Sequence, residues 1–150
     1  MDNEILIDGK KVIELMPHRP PMRMIGKLIH FEAQVVRTAL IISSENVFCI
    51  NGKLSEIGLA ENMAQSASIV VGYDRYEEVK ANGGVYVPPF GYIGAINRLK
   101  IHQLPEIKTE LTTEIKVDFK VGDITFVSAK VTSQNVLFAE GEMKVFIEKV

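Results

Sequence analysis

Hydrophobic positions along the chain change period twice, dividing it into an N-terminal lead, one strong helix and a strand-rich second half. Leu59, Ala60, Met63, Ala64, Ala67, Val70 and Val71 recur at the three- and four-residue spacing of a helix face. Ser55 is placed to cap that helix, because a serine hydroxyl accepts from an unpaired first-turn amide, and Glu56 suits the positive end of the helix dipole. A charged run over residues 74–80 leads to Asn82-Gly83-Gly84 as a stop, so the spacing predicts one helix of about seven turns. Its first half carries Ala60, Ala64, Ser66, Ala67, Ser68 and Gly72, small residues that let a helix approach neighbouring backbone closely. A buried helix is expected.

Ahead of it, residues 11–16 can make a short helical turn, which Pro17 stops for want of an amide donor. Residues 22–31 and 34–42 read as two strands with a bend at Glu32-Ala33. After Pro88-Pro89 come four more, over residues 91–102, 108–120, 125–132 and 136–147, with residues 112–121 alternating cleanly. Val121-Gly122-Asp123 and Ser133-Gln134-Asn135 are short turns of the kind that join antiparallel strands. An apolar helix followed by consecutive hairpins is satisfied if the sheet curls around the helix. The pattern predicts an α+β arrangement, and the absence of any linker or repeat predicts one domain over residues 1–150.

Composition narrows the function. With 47% hydrophobic and 24% charged residues the balance is that of an ordinary globular domain. A net charge of -2 with scattered Lys and Arg argues against a nucleic-acid partner. Apolar stretches are broken by charge short of the roughly 20 residues of a membrane span, and Met1-Asp2-Asn3-Glu4 lacks the basic start of a secretory signal, so a cytoplasmic protein is expected. Cys49 is the only cysteine, which excludes an internal disulfide; between Phe48 and Ile50 it reads as a small hydrophobe rather than a nucleophile. His18, His30 and His102 show no metal-ligand spacing, so no metal site is expected.

Three blocks, in order, resemble the hotdog-fold 3-hydroxyacyl-(acyl carrier protein) dehydratases. Leu15-Met16-Pro17-His18-Arg19-Pro20-Pro21-Met22 is similar to that family's Leu-Pro-His-Arg-x-Pro segment, and Glu61-Asn62-Met63-Ala64-Gln65 to its Glu-x-Met-Ala-Gln on the central helix. Leu137-Phe138-Ala139-Glu140-Gly141-Glu142-Met143 resembles its last strand. The likeness is greatest to the predicted dehydratases of aryl-polyene-type pathways. It implies a hotdog fold, a long central helix wrapped by a curved antiparallel sheet. The housekeeping enzymes also carry a His-Phe-Pro-Gly motif with its histidine fourteen residues before the helix glutamate; here that position is Val47, followed by Phe48, Cys49 and Ile50. The Pro-Gly ahead of the helix is missing too.

Dehydration of a 3-hydroxyacyl thioester needs removal of an α-proton, protonation of the departing hydroxyl and stabilisation of charge on the thioester oxygen. Glu61 can serve as acid or base, first-turn amides near Ile57 and Gly58 can polarise the carbonyl, and Gln65, one turn on, can orient Glu61 or a water. The bland alternatives are a structural Glu61 paired with an arginine such as Arg98, a Gln65 filling a polar gap in the core, and a Gly58 that only permits close packing. His18 is the candidate for the missing base, because a histidine titrates in the useful range and the resembling segment lies near the family's active-site mouth. The competing reading of His18 is a structural turn. Arg19, Arg23, Arg37, Arg98 and Lys100 are either a rim for a phosphopantetheine phosphate or acidic carrier, or solvated faces.

The apolar, glycine-containing residues 91–96 would be an aggregation risk at an open sheet edge. Hotdog relatives pair that region across a two-fold axis, which implies a homodimer, with a higher oligomer left open, and a site drawing on both subunits. The leading expectation is dehydration of 3-hydroxyacyl groups on acyl carrier protein, with acyl-CoA as the other carrier and no cofactor beyond the substrate's phosphopantetheine. The alternatives are a hotdog thioesterase working with Glu61 alone, and a non-catalytic acyl-binding or partner subunit.

Overall fold

The computed structural model describes residues 12–148. Val12–Glu14 form one 3-10 turn inside the segment expected to turn before Pro17. Lys11, where that expectation began, and the first four residues lie outside the described residues. The chain continues through strands β1 (Lys27–Phe31) and β2 (Val35–Ile41) and a miniature hairpin of β3 (Cys49–Ile50) and β4 (Lys53–Leu54). Helices α1 (Glu56–Val71) and α2 (Tyr73–Ala81) precede four long strands: β5 (Gly91–Ile101), β6 (Glu110–Val121), β7 (Ile124–Ser133) and β8 (Val136–Ile147).

Six strands form one sheet in the order β1-β2-β6-β7-β8-β5, every neighbouring pair antiparallel. Alternation sets its two faces. Leu111, Thr113 and Ile115 on β6, Val127, Ala129 and Val131 on β7, and Ala139, Met143 and Val145 on β8 are buried, while their chain neighbours are more open. α1 packs against β2, β6, β7 and β8. The β7–β8 hairpin closes through Gln134 (φ 48°) and Asn135 (φ 66°), a left-handed pair whose twist matches that of the strands. Register shifts at Val117/Phe119 in β6 and at Ile93/Ala95 and Asn97/Lys100 in β5 bend the sheet. The result is the α+β hotdog arrangement that the sequence implies, a helix enclosed by a curved antiparallel sheet.

α1 begins as expected, with the Ser55 side chain accepting from the Gly58 amide at 3.3 Å. Leu59 and Met63 are fully buried along it, and each such side chain is worth about 1.5–3 kcal/mol in apolar burial. The single seven-turn helix, however, is two. Gly72 (φ −87°, ψ −4°) ends α1; its amide reaches back only three residues, to Ile69 O at 3.2 Å, while the Tyr86 hydroxyl donates to its carbonyl at 3.3 Å. A Cβ at Gly72 would lie 2.3 Å from that hydroxyl, so glycine is what admits the tyrosine. α2 continues outside the core with no buried residue, held through Tyr73 and Tyr76, whose rings lie 4.9 and 5.3 Å from that of Phe31.

The first expected strand is also corrected, to its second half. Residues 22–26 lack ladder geometry because their backbone groups bond to side chains of α1: Gln65 takes Met22 O and Met24 N, and Asn62 takes Met24 O. Strand pairing starts with the Gly26 amide on Ala39 O at 2.8 Å.

Candidate functional site

Ile57, Glu61 and Gln65 stand four residues apart on α1 and therefore share one stripe of the helix. The stripe runs inward: Ile57 is 66% exposed, Glu61 half-buried, and Gln65 1% exposed. Gln65 is fully engaged. Its Nε2 donates to Glu61 Oε2 at 2.9 Å and to Met22 O at 2.8 Å, and its Oε1 accepts from the Met24 amide at 2.6 Å. Three partners of fixed polarity leave the amide one orientation, so the carboxylate is held from below by a group that cannot turn away.

The segment of His18, which contains the cis bond between Pro20 and Pro21, is tied down by Arg19, whose Nη1 donates to Met16 O at 2.8 Å and His18 O at 3.0 Å. Burial holds the imidazole below its ordinary pKa; the nearby Glu61 carboxylate works against that shift, and Arg19 reinforces it. His18 and Glu61 are thus electrostatic neighbours within one chain. His18 Nδ1 is buried without a hydrogen-bond partner among the described residues, an uncommon state for a buried polar atom. A neutral imidazole beside a carboxyl fixed by an amide is a pair able to take and give protons.

The first turn of α1 is less open than its sequence suggests. The Gly58 amide is taken by Ser55, and a Cβ on Gly58 would fall 2.5 Å from Leu54 Cδ1 and 2.8 Å from Phe48 Cβ. The residue lets the β3–β4 hairpin lie against the helix. Ile57, facing solvent, carries another amide of that turn.

Beneath the stripe lies a polar chain that residue spacing does not reveal. Asn62, fully buried, donates from Nδ2 to Met24 O at 2.7 Å and accepts at Oδ1 from the Thr113 hydroxyl. Ser66 Oγ bonds Asn62 O and Thr38 Oγ1, each at 2.8 Å. Asn62 shares its sequence block with Glu61 and Gln65, but its partners sit 38 and 51 residues away.

Other candidates lie apart. Val47 is 51% exposed beside the β3–β4 hairpin. Cys49 is partly buried, with its thiol pKa pushed up by burial. His30 pairs with Glu32 at 3.3 Å and His102 with Glu140 at 3.0 Å. Arg98, considered as a partner for Glu61, pairs instead with Glu142 at 3.2 Å, and Arg37 with Glu114 at 2.7 Å. Arg37 and Arg98 lie on β2 and β5, separated by the other three strands between them, so the five basic residues form no single rim in one chain. Among the described residues, no group of three or more His, Cys, Asp or Glu is placed to hold a metal, and no helix is long and apolar enough to cross a membrane.

Comparison with solved structures places this architecture among known ones. The dehydratase heterocomplex ApeI:P from Xenorhabdus doucetiae superposes with a TM-score of 0.79 at 14% identity, covering 92% of this chain and 91% of that one. An uncharacterized protein from Pyrococcus horikoshii gives 0.66 at 14% identity over 87% and 88%. A hypothetical thioesterase with coenzyme A from Streptococcus pneumoniae gives 0.62 at 11% over 81% and 84%. At such identities the likeness speaks for the shared fold. Comparison with curated protein sequences gives no match. The family model described as ApeP-like, ApeP dehydratase, matches residues 10–149, nearly the whole chain, and the protein therefore belongs to the ApeP-like dehydratase family.

Proposed function

We propose that the protein catalyses the reversible loss of water from 3-hydroxyacyl thioesters carried on the phosphopantetheine of an acyl carrier protein. The observation that carries this reading is the Glu61 carboxyl held on the helix by Gln65, with its charge felt by the buried His18 imidazole. Neutral His18 takes the α-proton, the C–O bond at the β-carbon breaks, and protonated Glu61 gives its proton to the departing hydroxyl, leaving a double bond and water. The first-turn amide of Ile57 faces the thioester oxygen, with Gly58 shaping the turn and the helix dipole adding to the field. Return of the proton from His18 to Glu61 resets the pair.

Assembly follows from β5, the outer strand of the sheet on which Tyr92, Ile96 and Leu99 are 57%, 41% and 40% exposed. An apolar sheet edge of this kind calls for a partner strand. A second copy supplies one in a homodimer. The heterocomplex of the Xenorhabdus dehydratase supports a related hotdog subunit as the other occupant.

The purified protein, incubated with 3-hydroxybutyryl and crotonyl thioesters, should interconvert them, followed by enoyl absorbance, and Glu61→Gln should abolish this. Thiol release without enoyl interconversion would instead establish a thioesterase. That second reading draws support from the absence of a histidine at position 47 and from the thioesterase that shares the fold.

A further inference from the structure

We infer that Asn62 is a positioning residue, which clamps the segment carrying His18 onto α1 and so fixes the geometry of the His18–Glu61 pair. This rests on the proposed acid–base role of that pair, but the clamp itself stands on the contacts. Between the Arg19 turn and the Gly26 amide, the segment makes no strand pairing; its backbone is held by Gln65 at Met22 and Met24 and by Asn62 at Met24. Gln65 also touches Glu61, so a change there alters the carboxyl directly. Asn62 bonds neither Glu61 nor His18. Its direct link to the segment that carries His18 is the bond to Met24.

Its own fixity comes from the sheet. Thr113 of β6 donates to the side-chain Oδ1 of Asn62, and Ser66, on the Asn62 backbone carbonyl, extends the polar chain to Thr38 of β2. All four residues are fully buried. Four apolar side chains would fill this space without any desolvation cost, whereas a buried polar chain is stable only in the arrangement that satisfies every member. The chain therefore selects one placement of the helix, the sheet and the Met24 backbone together. The segment so placed carries His18, whose imidazole feels the charges of Glu61 on α1 and of Arg19 beside it.

The test follows the His18 imidazole by NMR across a pH titration, alongside the dehydratase assay, in the full chain and in Asn62→Ala, Thr113→Val and Thr113→Ser. Asn62→Ala should move the His18 midpoint up toward the ordinary histidine value and lower kcat by roughly tenfold with KM little changed, the signature of lost alignment rather than lost binding. Thr113→Val, almost identical in shape, should do the same in smaller measure, and Thr113→Ser should restore both readings. An unmoved midpoint in folded Asn62→Ala overturns the clamp, and if that variant does not fold, Thr113→Val decides in its place. The titration needs no turnover, so a protein without dehydratase activity would fail the proposed function while the His18 midpoint still decided the role of Asn62.

Discussion

The Gln65 amide bonds the Glu61 carboxylate at 2.9 Å from one turn further along α1, while its remaining hydrogen and its oxygen are committed to Met22 and Met24. Gln65→Leu keeps the volume but leaves the buried Met24 amide unpaired, at about 1–3 kcal/mol, and frees the part-buried Met22 carbonyl. Thermal unfolding should move down by roughly 5–10 °C, and kcat for 3-hydroxyacyl dehydration should fall on the order of tenfold as Glu61 loses its fixed orientation. Calorimetry and steady-state kinetics on one preparation check both; unchanged kcat in a destabilised variant would make Gln65 a structural residue only.

His18 gives the protein an acid-sensitive element of known sign. Burial, opposed by Glu61 and aided by Arg19, holds its pKa below the ordinary value. A group depressed in this way contributes stability above its unfolded-state value, about 6.5, and loses it as pH falls through the folded value. Resistance to denaturant should weaken on acidification from pH 7 to 5, and His18→Asn should remove part of that dependence. If His18 is the base, the acid limb of kcat/KM should lie below about pH 6.5.

Gly58→Ala tests how tightly the first turn is packed. Helix propensity favours the change by about 1 kcal/mol. The new Cβ, however, would sit 2.5 Å from Leu54 Cδ1, on a side chain with no exposed surface, and 2.8 Å from Phe48 Cβ. Overpacking of this kind costs about 1–3 kcal/mol, so the variant should unfold at lower denaturant than the parent. A stabilised variant would show that the β3–β4 hairpin yields.

Tyr86→Phe should cost about 0.5–1.5 kcal/mol through loss of the bond to Gly72 O. It should also flatten the alkaline response. Burial, with Arg75 opposing it, pushes the Tyr86 phenol up to about 12. Since the folded value lies above the unfolded one of about 10, the wild type loses stability as pH rises from about 10 to about 12. The advantage of the wild type in unfolding free energy at pH 8 should shrink as pH rises and reverse in sign by pH 11.5.

Elements governed by local periodicity were legible in the sequence. β8 occupies residues 136–147 as its alternation predicts, and Ser55 caps α1 as its hydroxyl allows. What failed depended on partners distant along the chain. Residues 22–26 look like a strand because they are apolar, yet their hydrogen bonds go to Gln65 and Asn62 some forty residues away. Gly72 resembles the other small residues of the helix until Tyr86 is seen against it. The Asn51-Gly52 turn of the β3–β4 hairpin, at φ 53° and 79°, carries a strong hairpin signal, but its two-residue strands are too short to show alternation. At the site, the spacing of Ile57, Glu61 and Gln65 was readable as one stripe. The polar chain from Thr38 to Thr113 was not, because its members lie on three elements and meet only in the fold.

The interruption at Gly72 has a practical use. Because the register of α1 ends there, the outer face of α2 is a separate scaffold on which Asp74, Arg75, Glu77, Glu78 and Lys80 point away from the core. A fluorophore or spin label attached through a cysteine at Glu78, with Cys49 replaced by alanine, would ride on this outrigger without entering the hydrophobic interior. Such a reporter could follow the arrival of a proposed carrier protein or second subunit while His18 and Glu61 stay chemically intact.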